Sequence, residues 1–326
     1  MKTNTPRRLA GHFLIAVCAM LAVSTALAQA WPNKPIRLVN PYTSGGTSDI
    51  LARAIAVKLG ERLGQPVIVE SKPGAGGNIG TDYVAKAPPD GYTLVLGNIG
   101  PMSVNSSMYK SMPFDAQKDL APISLLLAYP NIILVNNTFG PKTLKELIDY
   151  AKVINLPYAG NGVGTSLHLT GELLARKAGI KLTHIPYKGD APGLNDVMGG
   201  AVQMNISPIA SPMQLVKAGK LRALAVTGPQ RSELLPDVPT ASEAGVPGFE
   251  VTGWIGVLAP AGTPPAIMSR LVSEFNYVMQ TPELKRLVVE MASFVPPMGP
   301  EYFTKFIQTE TVKWREVVQG ANLKAE

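Results

Sequence analysis

Residues 36–51 read Ile36-Arg37-Leu38-Val39-Asn40-Pro41-Tyr42-Thr43-Ser44-Gly45-Gly46-Thr47-Ser48-Asp49-Ile50-Leu51, and the change of rhythm inside them sets the fold class. The first five residues are a short apolar run, suited to a buried strand. From Ile50 to Leu63 the residues Ile50, Leu51, Ala54, Ile55, Leu59 and Leu63 recur at helical spacing. Between the two, Pro41 and the pair Gly45-Gly46 break both patterns. Strand, glycine-bearing turn and helix in that order form the repeating unit of an α/β protein.

The unit repeats outward from this stretch. Val67–Glu70 reads as a strand, Gly80–Ala87 as a helix and Tyr92–Leu96 as a strand ending in Gly97-Asn98. After a gap the rhythm restarts. Strands are expected at Asn131–Val135, Leu156–Ala159, Thr183–Ile185, Val202–Ile206 and Ala223–Val226. Helices are expected at Thr143–Val153, Ser166–Ala178 and Gly193–Met198. Trp254–Ala259 then reads as one more strand, followed by helices at Pro265–Met279, Pro282–Met291 and Pro300–Val318. Those last helices cannot form a core alone, so they are expected to pack on the first sheet. Alternation of this kind predicts parallel sheets covered on both faces, in two α/β lobes joined by crossings near 128–132 and 252–256. Lobe 1 is expected to hold residues 29–130 and 254–326, lobe 2 residues 131–253. A ligand belongs between them, at the carboxyl ends of the strands.

Two loops are the strongest candidates for that site. In the first, Tyr42, Thr43, Ser44, Gly46, Thr47, Ser48 and Asp49 lie between strand and helix, with Thr47, Ser48 or Asp49 placed to cap the helix. In the second lobe Asn161, Gly162, Gly164, Thr165 and Ser166 take the same position. Unpaired amides and the helix dipole make such a start a site for an anion. One such loop in each lobe suits the two ends of a dianion. Asn98, at a strand end, joins the expected set. Tyr42 and Tyr187 are aromatic candidates for covering the ligand, and Lys188 is the nearest cation in kind.

Other chemistry lacks its materials. Gly74-Ala75-Gly76-Gly77-Asn78-Ile79-Gly80 follows a strand, but its third glycine misses the dinucleotide spacing and no acid ends the next strand. It reads as a structural turn near the cleft. Of the three histidines, His12 precedes the mature chain, His168 is expected to brace its loop and His184 to pack in the core. With Cys18 the single cysteine and no His/carboxylate cluster, no metal site is expected. No catalytic residue and no cofactor are expected. There is no nucleophile elbow, and Asp49 stands alone among the predicted loops.

The first residues bear on compartment. Lys2, Arg7 and Arg8 precede an apolar stretch that ends in Ala26-Leu27-Ala28, the small-x-small pattern of a signal peptide. Cleavage is expected after Ala28, with Ala30 the neighbouring alternative, which places the protein in the periplasm. The net charge of +7 includes three charges from this segment. The remaining mild basicity, without Lys/Arg runs, argues against nucleic acid.

Longer motifs carry a family resemblance. They are Pro35–Val39, Gly45–Arg53, Pro73–Gly80, Ala87-Pro88-Pro89-Asp90-Gly91-Tyr92-Thr93-Leu94, Pro186-Tyr187-Lys188-Gly189, Leu235–Thr240 and Leu258–Pro264. In these the chain resembles the substrate-binding proteins of tripartite tricarboxylate transporters, the Bug (Bordetella uptake gene) proteins, over about residues 31–322. The resemblance implies a type II periplasmic-binding-protein fold that closes like a flytrap. It also implies delivery of a carboxylate to membrane permease subunits, with the carboxylate held by the loops 42–49 and 161–166. Two departures stand out: Thr43-Ser44 where many relatives have Pro-Pro, and Ser207 where many have Asp. The second puts Ser207 in the expected site by the resemblance, weakens an amino-acid ligand and favours a plain dicarboxylate or an aromatic acid; a tricarboxylate stays among the carboxylates the resemblance implies. Three roles follow as alternatives: a transport receptor, acting as a monomer; a ligand-presenting protein for a sensor kinase; and an enzyme, which the missing catalytic groups disfavour.

Overall fold

The computed structural model describes residues 31–320 and 323–324; the secretion reading of residues 1–28 lies outside them. The apolar run Ile36–Asn40 forms strand β1, with Ile36, Leu38 and Val39 fully buried. Helix α1 (Thr47–Leu63) begins three residues ahead of Ile50, because Thr47, Ser48 and Asp49 already form its first turn. Then come β2 (Val67–Ser71), a single 3-10 turn at Ala75–Gly77, α2 (Asn78–Ala85) and β3 (Thr93–Asn98). A π-helical turn at Gly100–Val104 leads into the short α3 (Asn105–Met108). β1 pairs in parallel with β2 and with β3.

The next strand is where the sequence pattern misleads. β4 runs from Leu120 to Asn136, 17 residues, whereas periodicity marks only Asn131–Val135. Prolines inside a run argue against a strand, and Pro122 and Pro130 both lie here. In the structure Pro122 falls at a register shift, and Pro130 where β4 exchanges one set of partners for another. From Leu120 to Pro130 the strand is antiparallel to β9 (Thr252–Pro260). From Asn131 onward it lies between β7 (Met204–Pro208) and β8 (Leu221–Val226), antiparallel to both. β5 (Leu156–Asn161) is parallel to β6 (Leu182–Tyr187) and to β7. The strand order is β2-β1-β3-β9-β4-β7-β5-β6, with β8 on the other edge of β4. The expectation of purely parallel sheets is therefore corrected. β4 runs through both half-sheets, and β9 lies against its first part with no helical crossover tying the two into a parallel pair, so nothing forces them parallel.

The remaining helices are α4 (Leu144–Ala151), α5 (Ser166–Ala178), α6 (Asp190–Met198), α7 (Met213–Lys217), α8 (Pro265–Met279), α9 (Pro282–Glu290) and α10 (Pro300–Gly320). α1 and α8 cover one face of the first half-sheet. Leu51, Ile55, Leu59, Leu271, Phe275 and Val278 pack there on Ile36, Leu38, Leu94 and Leu96. α10 returns to the first half as expected: Phe303 and Phe306 meet Trp254 of β9 edge-on, with ring centroids 5.6 and 5.5 Å apart. In the second half, Leu194 and Val197 of α6 pack on Ile132, Leu134 and Ala159. The result is a curled mixed sheet sheathed by helices, with the carboxyl ends of β1, β3, β5 and β7 feeding the loops of interest.

Candidate functional site

The first loop is braced by its own strand end. Asn40, fully buried, accepts through Oδ1 from the Tyr42 amide (3.3 Å) and the Ser48 hydroxyl (2.7 Å). The helix cap is Gly46, in extended geometry and without any side-chain bond, so the expected capping by Thr47, Ser48 or Asp49 is corrected. Asp49 instead reaches back: its Oδ2 accepts from the Gly45 amide (3.0 Å) and from Arg53 Nε (2.9 Å). A carboxylate in the first helical turn is favoured there by the dipole. Burial alone would raise its pKa, but Arg53 and the Gly45 amide outweigh that and hold it below the ordinary value. The amides of Asp49 and Ile50 both donate to the Gly46 carbonyl. Those of Gly46, Thr47 and Ser48 meet no protein acceptor among the described residues. The Thr47 hydroxyl is likewise without a partner there.

The second loop has a true side-chain cap. Thr165 Oγ1 accepts from the His168 amide (3.5 Å) and donates to the Gly162 carbonyl (2.8 Å). His168 is buried and its Nδ1 accepts from the Gly164 amide (3.3 Å), so it braces the loop, as expected. The ring of His184 lies 4.6 Å from that of His168. Burial, joined by the neighbouring imidazole, pushes His168 down to about 3; burial pushes His184 down to about 4. Both are neutral at physiological pH. The amides of Ser166 and Leu167 open the helix without protein acceptors among the described residues. Asn161 Nδ2 donates to Asp190 Oδ1 at 2.8 Å.

The two halves touch at the second of these loops. A Cβ on Gly76 would stand 3.1 Å from the Val163 carbonyl, and one on Gly100 3.3 Å from the Gly164 carbonyl. Gly164, at φ +82°, has room only for a hydrogen, since a Cβ would meet Asn105 Oδ1 at 2.6 Å. Beside this contact Tyr42 Oη donates to Asn98 Oδ1 at 2.6 Å, with the Gly76 carbonyl 3.3 Å away. Tyr129 of β4, bonded to the Ser166 side chain, stands where β4 passes from one half-sheet to the other. Burial, and then the charge of Asp190, push its hydroxyl up to about 12. Burial and the neighbouring Tyr129 raise Tyr42 as well. Both phenols are therefore protonated donors at any physiological pH.

The expected residues thus divide. Tyr42, Asn98 and Gly164 lie around the contact between the halves, Thr165 and Ser166 open α5 next to Gly164, and Gly46 and Thr47 open α1, with open space around Gly46. Ser48 and Asp49 belong to the bracing of the first loop. Thr43 and Ser44 are exposed, with Ser44 Oγ 3.1 Å from Ser71 Oγ. Gly162 has open space around it. Ser207 is fully buried, and its Oγ has no partner among the described residues. Tyr187 is corrected: its hydroxyl donates to Asp196 of α6 at 2.5 Å, so it is engaged by its own half. Lys188 is exposed. The Gly74–Gly80 turn does reach the cleft, through Gly76. Three residues escape sequence reading. Tyr129 and Asn105 sit in the stretch that shows no clear periodicity. Asp190 is hidden because α6 begins at Asp190 rather than Gly193, with Pro192 in its first turn, a position proline tolerates.

Comparison with known proteins assigns the family. The tripartite tricarboxylate transporter family receptor matches residues 51–323. BugT of Bordetella pertussis is 34% identical over 326 residues, covering 98% of this chain and 100% of that protein. The solved structure of R. palustris Rpa4515 with adipate superposes with a TM-score of 0.85 at 34% identity, covering 90% of this chain and 99% of the other. MatC from Rhodopseudomonas palustris with bound malate gives 0.82 at 31% identity, over 88% and 100%. In sequence over most of its length and in fold, the chain belongs to the tripartite tricarboxylate transporter receptor family of solute-binding proteins.

Proposed function

We propose that this protein is a periplasmic receptor that captures a small organic carboxylate between two lobes and delivers it to permease subunits of a tripartite tricarboxylate-type transporter. The lobes are residues 29–130 with 254–326, and residues 131–253; the mature chain starts after Ala28 and acts as a monomer, without catalysis or cofactor. The observation that carries the reading is that two helix starts, α1 and α5, each present unpartnered amides, the second of them beside the contact between the halves. Amides and hydroxyls at a helix start favour an anion without a fixed cation. Adipate and malate in two structural relatives are of the same chemical class. A melting-temperature screen of carboxylates, sugars and amines tests it. A carboxylate at 100 times its Kd should add about 2.7 kcal/mol of stability. Shifts by sugars or amines with none by any carboxylate would sink the reading.

Two substitutions separate binding from bracing. Thr47→Val removes a hydroxyl that holds nothing in the protein, so affinity should fall about tenfold, the worth of one hydrogen bond to a charged group, with melting unchanged. Thr165→Val removes the α5 cap and should cost about 1 kcal/mol of stability as well. Calorimetric titration and urea melts of the two variants should therefore diverge; parallel losses in both measurements would reject the distinction.

A further inference from the structure

A partly buried carboxylate stands beside the second loop without a cation. Asp190, the first residue of α6, accepts from Asn161 Nδ2 at 2.8 Å and from the Ser211 hydroxyl. Both donors are neutral, and Asp190 belongs to no ion pair among the described residues. A carboxylate offers about four lone-pair positions, so two bonds leave capacity on both oxygens. Burying a charge without a counter-charge is unfavourable, and the carboxyl is accordingly raised by burial, with the Ser211 and Asn161 bonds opposing.

Ser207 supplies the second observation. β5 and β7 are in register at Tyr158–Met204 and Ala159–Asn205, and Gly193 of α6 packs against both Ala159 and Asn205. Two residues further along each strand, on the same face, come Asn161 and Ser207. Three residues back along α6 comes Asp190, which Asn161 holds. Ser207 therefore stands on the face that carries Asn161 and Asp190, fully buried and with an unpartnered Oγ. Asn205 Oδ1, on the same face, is also buried without a partner.

We infer that Asp190 and Ser207 form an acceptor subsite beside the second loop, and that the bound carboxylate carries a hydrogen-bond donor, a hydroxyl or an ammonium, next to its carboxylate group. The inference rests on the carboxylate-receptor reading. A negative Asp190 repels a second carboxylate placed against it but completes its own hydrogen bonding with a donor. This reverses the preference for a plain dicarboxylate drawn from Ser207 alone, because the acid is supplied by a neighbouring element. Asp190 is a specificity-determining residue on this account.

Calorimetric titration of the full mature chain tests it with matched sets: succinate, malate and aspartate; glutarate, 2-hydroxyglutarate and glutamate; benzoate, 2-hydroxybenzoate and 2-aminobenzoate. In the set that binds, the hydroxy or amino acid should bind at least tenfold tighter than the plain acid. Which of the two is tighter identifies the donor. Asp190→Asn should shrink that gap at least fivefold while leaving the plain acid as tight or tighter. Ser207→Ala, which removes one hydroxyl, should shrink it in the same sense and serves where Asp190→Asn does not fold. A plain acid that binds as well as its analogues, or a gap untouched by both variants, overturns the inference alone. Failure of every carboxylate overturns the receptor reading and the inference with it.

Discussion

Lowering the pH from 7 to 5 should cost the folded protein about 3–4 kcal/mol through His168 and His184. Their folded-state values, about 3 and about 4, lie below the ordinary 6.5. Between those limits the unfolded chain binds protons that the folded chain refuses. Stability is therefore fully present above pH 6.5 and is lost as the pH falls toward the folded values. Each imidazole contributes about 2 kcal/mol over the interval, and partial exposure of His184 trims the total. Glu172, whose Oε1 lies 3.6 Å from His168 Nε2, is raised by burial and acts in the opposite sense, as does Asp190. Urea melts at pH 7, 6 and 5 on the wild type, His168→Gln and His184→Gln measure the effect. Each variant should show roughly half the wild-type slope. Wild-type slopes in both variants would place the acid sensitivity elsewhere. The folded His168 stays neutral over this interval, so the Gly164 amide keeps its acceptor while stability falls.

Gly164→Ala should weaken carboxylate binding about 100-fold, or about 2.8 kcal/mol, while lowering the melting point of the ligand-free protein far less. Two costs combine. A φ of +82° disfavours any side chain by about 1–2 kcal/mol. The added Cβ would also stand 2.6 Å from Asn105 Oδ1, in the other half of the molecule, and Asn105 is held by its Nδ2 bond to Asn78 at 2.7 Å. The first cost falls on the loop in every state. The second arises between the halves, and under the proposed capture of a ligand between them it falls on the ligand-bound form. Titration calorimetry alongside small-angle scattering with and without ligand measures both. Equal losses of affinity and of ligand-free stability would show that the glycine serves the loop alone.

How much of this is legible in the sequence depends on distance along the chain. The Tyr42–Asp49 and Asn161–Ser166 loops stand out because a strand end, glycines and a helix start fall close together in each. Their bracing by Asn40 and His168 is equally local. β4 is not legible, since Pro122 and Pro130 look like breakers until β9, β7 and β8 are seen to supply its partners in two separate stretches. Tyr129 stays hidden with it. Asp190 escapes because nothing in Gly189-Asp190-Ala191-Pro192 shows that it meets Asn161 and Ser211, 29 and 21 residues away. The capping error at α1 has the same root: Asp49 has the composition of a cap, and only the position of Arg53 shows where it turns.

One strand shared by both halves also limits how this gene can change length. Side chains alternate with a period of two along β4, so losing or gaining a single codon near Pro130 would keep the inward faces correct on one side and invert them on the other. An open turn position such as Gly245 carries no such alternation, whereas Leu120–Asn136 keeps its faces only under substitution.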